Sequence, residues 1–591
     1  MRLLFIFTFL LSFSAFAQDD ILAREYFKNG DFEKAATTYK KLYKKNTRNK
    51  IYLLQLIKAY QQLEKFKEAE TLLKNELARY ENPQLLVELG RNYALQNDTI
   101  NSKLNYDKAI QTLEKNPNNA YAVGRSFENF SLLEQAITTY KKGMQLKPQL
   151  NFNLNLARIY GEQGDVEKMF NSYINFSEIN KTYINTAKRE FSSFISENKE
   201  NENNIILKKI LLKKIQTAPN LLWNDMLSWL FIQQKEYNKA FIQEKAIYKR
   251  ELESLDRVEQ LANIAYNQKQ PETAKNIFKF IIENTQEIDI QINAHYNLLK
   301  IETEYAEKKD YKLIKQKYLN LLDVYGKTPR TVNLQIAYAH FLAFYLDQPK
   351  DAITFLKDSL NINFSNYQLA QIKLELGDIL VLEEKFNEAL IYYTQIQRAL
   401  KNTKISQLAR FKVAKTSYYK GDFKWAESQL KILKKSTSQL TANDALDLKL
   451  LISDNKQGDS LQTALKKYAK ADLLAFQNKK EQAITILSNI IQEHKTETII
   501  PQALLKQAQL FEDKADFEKA KSNYLQIISN YTDGILIDDA IFALAEIYNN
   551  QLQLPEKAKE LYERIIFNHA DSIYFVDSRK KYRALRGDAI N

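Results

Sequence analysis

Five basic residues recur at a nearly constant interval in the first third of the chain. The intervals between them are 34, 33, 34 and 33 residues, and the residues are Arg24, Lys58, Arg91, Arg125 and Arg158. We call this set the cation ladder. A row of positive charges raises the local concentration of anionic ligands and favours their capture. The chemistry that the ladder indicates is therefore the binding of an extended acidic ligand rather than catalysis.

Each cation of the ladder has the same kind of neighbours. The residue before it is small or aliphatic, in the order Ala23, Ile57, Gly90, Gly124 and Ala157. The residue two positions after it is aromatic, in the order Tyr26, Tyr60, Tyr93, Phe127 and Tyr160. Because the whole pattern recurs, it predicts that every cation occupies the same place in a repeated structural unit.

The unit that carries the first cation extends from Ala23 to Leu42. Small and apolar residues lie at i, i+3 and i+4 spacings on both sides of a break at Gly30. This pattern predicts two short antiparallel helices joined by a turn. The sequence FEKA that ends at Ala35 is followed 34 residues later by FKEA, which ends at Ala69.

A helix-turn-helix unit of 34 residues resembles the tetratricopeptide repeat (TPR). The resemblance implies an all-α fold, an α-solenoid (right-handed superhelix) of about 14 TPR-like helical hairpins. The content of only 12 Gly and 9 Pro is typical of a largely helical protein. In TPR proteins the position of the ladder cations lies on the concave face, where ligands bind. The resemblance therefore places the candidate ligand-binding site on the ladder.

A small or apolar residue in the second helix marks each further unit. These anchors are Ala35, Ala69, Ala136, Met169, Ala240, Ala274, Ile314, Ala352, Ala389, Ala426, Ala483, Ala520 and Ala558. The pattern is weak over residues 175–222, where the polar segment 197–204 indicates a loop or hinge, and again from Ser436, where about one extra hairpin is inserted around Gly458. We therefore predict an N-terminal array over 18–180, a middle array over 181–435 and a C-terminal array over 436–591, which starts with the inserted hairpin.

The N-terminal residues 1–17 have the features of a secretory signal peptide. They consist of a basic residue at Arg2, a run of Leu and Phe, and the small-x-small sequence Ala15–Phe16–Ala17. The chain contains no Cys, which excludes a lipidated cysteine, a disulfide and a thiolate metal site. No later segment approaches the eighteen apolar residues of a transmembrane span. We expect an exported, soluble and non-lipidated protein of the periplasm.

Sequence motifs of enzymes are missing from the chain. It has no nucleophile elbow, phosphate-binding loop, GxGxxG, HExxH or calcium-binding loop, and its four His are scattered. We therefore expect a protein that is not an enzyme and that needs no metal or cofactor. The net charge of +13 favours acidic partners. Nucleic acid is a poor fit, since no nucleic-acid-binding module accompanies the charge.

The ladder has two interpretations that the sequence leaves open. Its cations could line one inner wall and bind an acidic ligand. Alternatively, each could pair with an acid on its own helix: Arg91 with Glu88, Arg125 with Glu128, and Arg158 with Glu162. Arg24 and Lys58 lack an equally well-placed acid, which favours binding for these two.

The C-terminal segment 517–588 resembles the TPR modules of Gram-negative envelope proteins, and this resemblance supports a location in the envelope. Our main hypothesis is a periplasmic scaffold that binds another envelope protein, with an extended acidic segment seated on the ladder. The alternatives are a protein associated with anionic cell-wall glycan and a structural spacer without a groove ligand. The oligomeric state stays open.

Overall fold

The structure is a computed structural model that describes residues 19–251, 254–433, 439–456 and 462–588. The regular structure in these ranges is helical, and they contain no β-strand. The expected signal peptide at 1–17 lies outside the described residues, as do Ser436 and Gly458. The described residues form two compact units, which divide between Arg250 and Glu251. The array boundaries at 180 and 435 stay predictions.

The first unit consists of short helices that pack as consecutive antiparallel pairs. The helices are α1 (19–28), α2 (Phe32–Lys45), α3 (Lys50–Gln62), α4 (Phe66–Arg79), α5 (Pro83–Ala94), α6 (Thr99–Gln111), α7 (Ala120–Asn129), α8 (Leu133–Leu146), α9 (Asn153–Glu162), α10 (Val166–Ile179), α11 (Ile184–Phe191), α12 (Glu202–Thr217), α13 (Leu221–Gln233) and α14 (Tyr237–Glu251). Single 3-10 turns occur at Thr112–Glu114, Pro117–Asn119 and Lys181–Tyr183.

The second unit is built in the same way. Its helices are α15 (Asp256–Asn267), α16 (Pro271–Asn284), α17 (Ile288–Glu304), α18 (Tyr311–Tyr325), α19 (Val332–Phe344), α20 (Pro349–Ser359), α21 (Asn366–Leu382), α22 (Phe386–Ala399), α23 (Lys404–Tyr419), α24 (Phe423–Leu433), α25 (Gln439–Asn455), α26 (Thr463–Phe476), α27 (Lys480–Glu493), α28 (Ile500–Glu512), α29 (Phe517–Asn530), α30 (Ile537–Glu546), α31 (Pro555–Asn568) and α32 (Phe575–Arg586). Lys308–Asp310 and Pro329–Thr331 form 3-10 turns, and Ile547–Gln551 forms a π-helical turn.

The same backbone turn joins the two helices of most hairpins. One residue with positive φ stands two positions before the second helix, as at Gly30 (φ 82°), Glu64 (φ 57°) and Ser131 (φ 57°). Its backbone breaks the first helix and redirects the chain into the second. Glycine adopts this conformation freely, whereas other L-residues are strained by roughly 1–2 kcal/mol. The turn is thus kept even where the sequence supplies no glycine.

The predicted anchors are confirmed. Every one lies in a second helix and is at most 4% exposed. Large side chains of the second helices are equally buried, among them Tyr39, Tyr140, Tyr393 and Tyr524. The hairpins therefore bury their apolar faces against each other and against their neighbours, as in an α-solenoid. The all-α solenoid fold expected from the sequence is confirmed in each unit.

The first helices of successive hairpins form a layer. Contacts join α5 to α7, and in the second unit α17 to α19, α19 to α21 and α21 to α23. We call this the first-helix layer. The side chains on the outer surface of this layer come from the same position in each hairpin. Equivalent residues of successive hairpins therefore lie side by side.

The polar segment near residue 200 is an ordered loop. It connects α11 to α12, and the fully buried Asn204 holds it in place. The amide nitrogen of Asn204 donates to the carbonyl oxygens of Ser196 and Asn198, both at 2.7 Å. The backbone N–H of Ser196 donates to the amide oxygen of Asn204 at 3.2 Å. These hydrogen bonds satisfy the buried amide and fix the loop.

The expected inserted hairpin is instead a single helix, α25. The helix after it, α26, pairs with α27 as an ordinary hairpin. It also rejoins the first-helix layer, since Lys415 of α23 forms an ion pair with Asp472 of α26 at 2.6 Å. Lys506 of α28 binds the same carboxylate at 3.1 Å. Burial alone would raise the pKa of Asp472, but the two lysines hold it below its ordinary value.

Candidate functional site: the cation ladder

The ladder residues lie on five first helices of the first unit: α1, α3, α5, α7 and α9. Asparagine side chains cap two of these helices. The side-chain oxygen of Asn49 accepts from the backbone N–H of Ile51 at 3.0 Å, and that of Asn82 accepts from Gln84 at 3.3 Å. Pro83 occupies the first turn of α5. Caps of this kind fix where each helix begins, and therefore where each cation lies on it.

The residue before each cation is buried against the second helix of its hairpin. Ala23, Ile57 and Ala157 are fully buried. At Gly90 a Cβ atom would come within 2.4 Å of the Tyr106 ring, and at Gly124 within 2.5 Å of the Tyr140 ring. Glycine is needed here because the tyrosine ring takes the place of a side chain. Since the residue before it points inward, each cation is turned toward the side of its helix and to solvent.

Two ladder cations form ion pairs on their own helices. Arg125 binds Glu128 at 2.5 Å, as the sequence allowed. Arg24 binds Asp20 at 2.6 Å, a pair that sequence reasoning missed. Our expectation that Arg24 lacks a well-placed acid was therefore wrong. Both arginines remain more than half exposed. Exposed pairs of this kind contribute only ~0.2–1 kcal/mol and leave the cations accessible to a stronger partner.

The other three ladder cations have no carboxylate within 4.0 Å among the described residues. The expected pairs of Arg91 with Glu88 and of Arg158 with Glu162 are absent there. Instead, the guanidinium carbon of Arg91 lies 5.6 Å from the ring centroid of Phe130, next to α7. Arg158 is exposed, and Lys58 is half-buried.

Glu88 is a buried acidic residue whose neighbours include Lys58 and Arg91 of the ladder. Its side chain on α5 is 6% exposed, and its Oε2 atom has no hydrogen-bond partner in the described structure. Burial raises the pKa of Glu88 to about 7, although Lys58 and Arg91 oppose the increase. The carboxyl group is thus largely protonated below neutral pH, where it neutralises less of the charge of the ladder.

Large apolar side chains are exposed beside the cations. Ile51 on α3 is 57% exposed, Tyr121 on α7 is 54% exposed, and Leu95 at the end of α5 is 37% exposed. Tyr121 precedes Arg125 by one helical turn, and Leu95 follows Arg91 by one turn. Such side chains form contacts that a purely electrostatic site would lack. The surface therefore suits a segment that carries both acidic and apolar residues.

Sequence reasoning also missed the acids through which first helices bind the neighbouring helices. The hydroxyl group of Tyr140 on α8 donates to Glu128 on α7. Asn155 on α9 donates to the same carboxylate at 3.5 Å. Equivalent bonds recur in the second unit, where Tyr393 donates to Asp378 at 2.6 Å and Tyr524 donates to Glu512. The spacing of 12 residues between Glu128 and Tyr140, and between Glu512 and Tyr524, is the signal that could have revealed them.

In the part of the chain that the structure describes, no three His, Cys, Asp or Glu side chains lie close enough to hold a metal ion. None of the described helices has the length and apolar content required to cross a membrane.

Comparisons with known proteins match one segment of the chain to a repeat family. Residues 502–533, which cover most of α28 and α29, match the family model described as tetratricopeptide repeat. No curated protein matches the chain. The chain is similar to the solved structures of the APC/C hetero-tetramer Cut9–Hcn1, of yeast Tom70 and of Naa15/Naa10 bound to HypK-THB.

The first of these is 14% identical, covers 98% of this chain and 98% of that chain, and has a TM-score of 0.23. Yeast Tom70 is 14% identical, covers 94% and 98%, and has a TM-score of 0.30. The Naa15/Naa10 structure is 10% identical, covers 97% and 94%, and has a TM-score of 0.28.

Proposed function

We propose that this chain, whose units are all-α solenoids and whose residues 502–533 match the tetratricopeptide repeat, is a non-enzymatic scaffold that binds another protein through its first-helix layer. The proposed site is the cation ladder, and the proposed ligand is an extended acidic segment that also carries apolar residues. The proposed location is the periplasm of a Gram-negative cell, where the protein is soluble and not lipidated. The sequence features of residues 1–17 and the absence of Cys support this location.

The proposal rests on the missing carboxylate partners of Lys58, Arg91 and Arg158. They lie on three first helices of one unit, and no carboxylate of the described structure is within 4.0 Å of any of them. An acidic segment would supply the missing partners and would gain apolar contacts with Leu95 and Tyr121. Binding of this kind is strongly salt-dependent, since screening acts on exposed charges.

The test replaces Lys58, Arg91 and Arg158 together by Gln. Crosslinking in envelope extracts, followed by recovery of the tagged protein, should yield a polypeptide partner with the unmodified chain and not with this variant. A fluorescent peptide of alternating Glu and Leu should bind the unmodified chain at low salt. Its affinity for the variant should be about ten- to a hundredfold lower, because each lost exposed charge pair removes roughly 0.5–1 kcal/mol.

The matched control replaces Lys103, Lys108 and Lys181 by Gln. These lysines are exposed in the same unit and lie outside the ladder, so both readouts should stay unchanged. Equal partner recovery from the unmodified chain and the ladder variant would favour the spacer hypothesis. Recovery of cell-wall polymer in place of a polypeptide would favour the glycan hypothesis.

A further inference from the structure

A second cleft lies on other helices of the first unit. It is formed between α2 and α4, which are second helices, and its floor is α3. Its volume is about 430 Å³. Leu56 and Tyr60 of α3, with Tyr43 of α2 and Leu72 of α4, give it an apolar base. We call this the lysine cleft.

Three lysines line the walls of the lysine cleft. Lys40 and Lys44 lie one turn apart on α2, and Lys67 lies on α4. No carboxylate of the described structure is within 4.0 Å of their ammonium groups. Glu68 is the one acid among the lining residues, and it is exposed. The lining therefore carries a net positive charge.

Several basic residues of α2 and α4 that do not line the cleft are paired. Lys41 binds Asp19 at 3.6 Å, and Lys74 binds Glu70 at 2.5 Å. Arg79 binds Glu76 at 3.1 Å. The three lysines of the cleft, in contrast, have no carboxylate partner among the described residues. This distribution points to an anionic ligand that comes from outside the chain.

The cleft continues into a basic edge of the unit. Residues 40–50 have the sequence KKLYKKNTRNK, which contains no acid. The end of α2, the start of α3 and the end of α4 lie at this edge, because consecutive helices are antiparallel. Two large apolar side chains are exposed here, Ile51 (57%) and Tyr80 (68%). Exposed apolar side chains among lysines are typical of surfaces that bind membranes.

We propose that the lysine cleft and the basic edge bind an anionic phospholipid membrane surface, with one phosphate headgroup between Lys40, Lys44 and Lys67. The ammonium group of lysine is a point charge that suits a phosphate without bidentate geometry. Ile51 and Tyr80 would enter the interfacial region, where their apolar surface leaves water. A purely acidic polypeptide would satisfy the lysines but leave these two side chains in water, whereas a membrane surface supplies both the phosphate and an apolar environment.

The experiment measures cosedimentation of the full chain with vesicles of phosphatidylcholine, with and without phosphatidylglycerol. The test variant replaces Lys40, Lys44 and Lys67 by Gln. Each lysine near an anionic surface contributes about fivefold to binding, so the variant should bind phosphatidylglycerol vesicles roughly a hundredfold more weakly. Replacing Tyr80 by Ser should weaken binding about tenfold without changing its salt dependence. Every form contains the same residues 1–17, so differences between variants report the cleft and its edge.

The control with Lys103, Lys108 and Lys181 replaced by Gln loses the same net charge and should bind like the unmodified chain. Equal losses in the two triple variants would overturn the proposal, because net charge alone would then explain binding. Unchanged binding by the cleft variant would also overturn it. A third contrary outcome is binding of inorganic phosphate or of the Glu–Leu peptide at the cleft with no binding to vesicles, which would identify a soluble anion as the ligand. The ladder variant should retain vesicle binding, so this test is independent of the proposed scaffold function.

Discussion

The buried carboxyl group of Glu88 makes the charge beside the ladder and the stability of the fold depend on pH. Its neighbours are Lys58 of α3, Arg91 of α5 and the ring of Tyr106 on α6. Burial raises its pKa from 4.5 to about 7, so the folded protein binds a proton there that the unfolded chain releases. Above pH 7 the ionised carboxylate is buried without a complete set of hydrogen bonds, and the folded state is destabilised. Lowering the pH from 7 toward 4.5 restores this stability.

Replacing Glu88 by Gln should therefore stabilise the protein at high pH. The difference in the free energy of unfolding should approach about 3 kcal/mol at pH 8 and disappear as the pH falls to 4.5. Thermal unfolding at pH 8 and at pH 5 measures the effect as a raised midpoint at the higher pH alone. Replacing the exposed Glu25 by Gln is the control and should leave both midpoints unchanged. Equal effects of the Glu88 variant at the two pH values would contradict the raised pKa.

Sequence reasoning succeeded best for single residues inside the helices. The anchors were found because a small residue recurs where two helices approach, and all are buried. The ion pairs of the ladder were harder to predict. Arg24 pairs with Asp20 because α1 already includes Asp20, whereas the pattern placed the start of the helix at Ala23. Arg158 has Glu162 one turn away but no pair with it, since the spacing of two long side chains does not fix their rotamers.

At the scale of the helical hairpin, the repeated element is a glycine, a tyrosine and a carboxylate. Gly124 lets the ring of Tyr140 lie against α7, and the hydroxyl group of that ring donates to Glu128. Gly377 and Tyr393 make the same approach, with Asp378 as the acceptor. The ring is fully buried in both hairpins. Packing and hydrogen bonding thus fix one relative position of the two helices.

Replacing Gly124 by Ala should disturb this element. The new Cβ would lie 2.5 Å from the Tyr140 ring, which is held by its hydroxyl group and cannot withdraw. Overpacking of this kind costs about 1–3 kcal/mol. A lowered unfolding midpoint, with faster hydrogen exchange in α7 and α8, is the expected result.

The control is Gly161→Ala in α9. Its new Cβ would lie 3.2 Å from the flexible side chain of Met169, so the higher helix propensity of Ala should offset the contact. Equal destabilisation by the two substitutions would show that the Tyr140 ring does not fix the hairpin.

The hairpin turns also show why part of the fold could not be predicted from the sequence. Gly30 revealed the first turn because glycine is the residue expected at positive φ. Glu64, Ser131, Lys235 and Ala515 adopt the same conformation without being residues that mark a turn. The packing of the two helices imposes it on them, so only the period of the anchors indicates these turns. The single inserted helix α25 was not predicted for a similar reason. Its apolar pattern alone did not show whether it pairs with a second helix.

At the scale of the whole molecule, a destabilising substitution in one compact unit should leave the stability of the other unit unchanged. Stability in a solenoid is approximately a sum over hairpins and the interfaces between them. The division at residues 250 and 251 depends on how densely helices contact each other, which no local sequence signal reports. A perturbation in one hairpin should therefore weaken its neighbours and leave distant hairpins unchanged.

The substitution Ala520→Leu tests this expectation. Ala520 in α29 is fully buried, so a larger side chain should cost about 1–3 kcal/mol. Hydrogen exchange should accelerate in α28 to α31 and remain unchanged in α1 to α14. The control is Ser522→Leu, at a position of the same helix that is not fully buried. Uniform acceleration along the chain would contradict separate responses, and no acceleration at all would contradict the role of the anchor.

The contact between Lys415 and Asp472 has a consequence for how this protein tolerates new segments. Ion pairs between equivalent positions of neighbouring hairpins usually join residues close to one repeat apart, as do Lys412 and Asp378 over 34 residues. Lys415 and Asp472 make the corresponding bond over 57 residues, because α25 leaves the layer and the layer closes behind it. Helices that are neighbours in the layer are therefore not neighbours along the chain at this point. The fold can consequently accommodate an additional helix, here packed against α23 and α24, while the flanking hairpins keep their register.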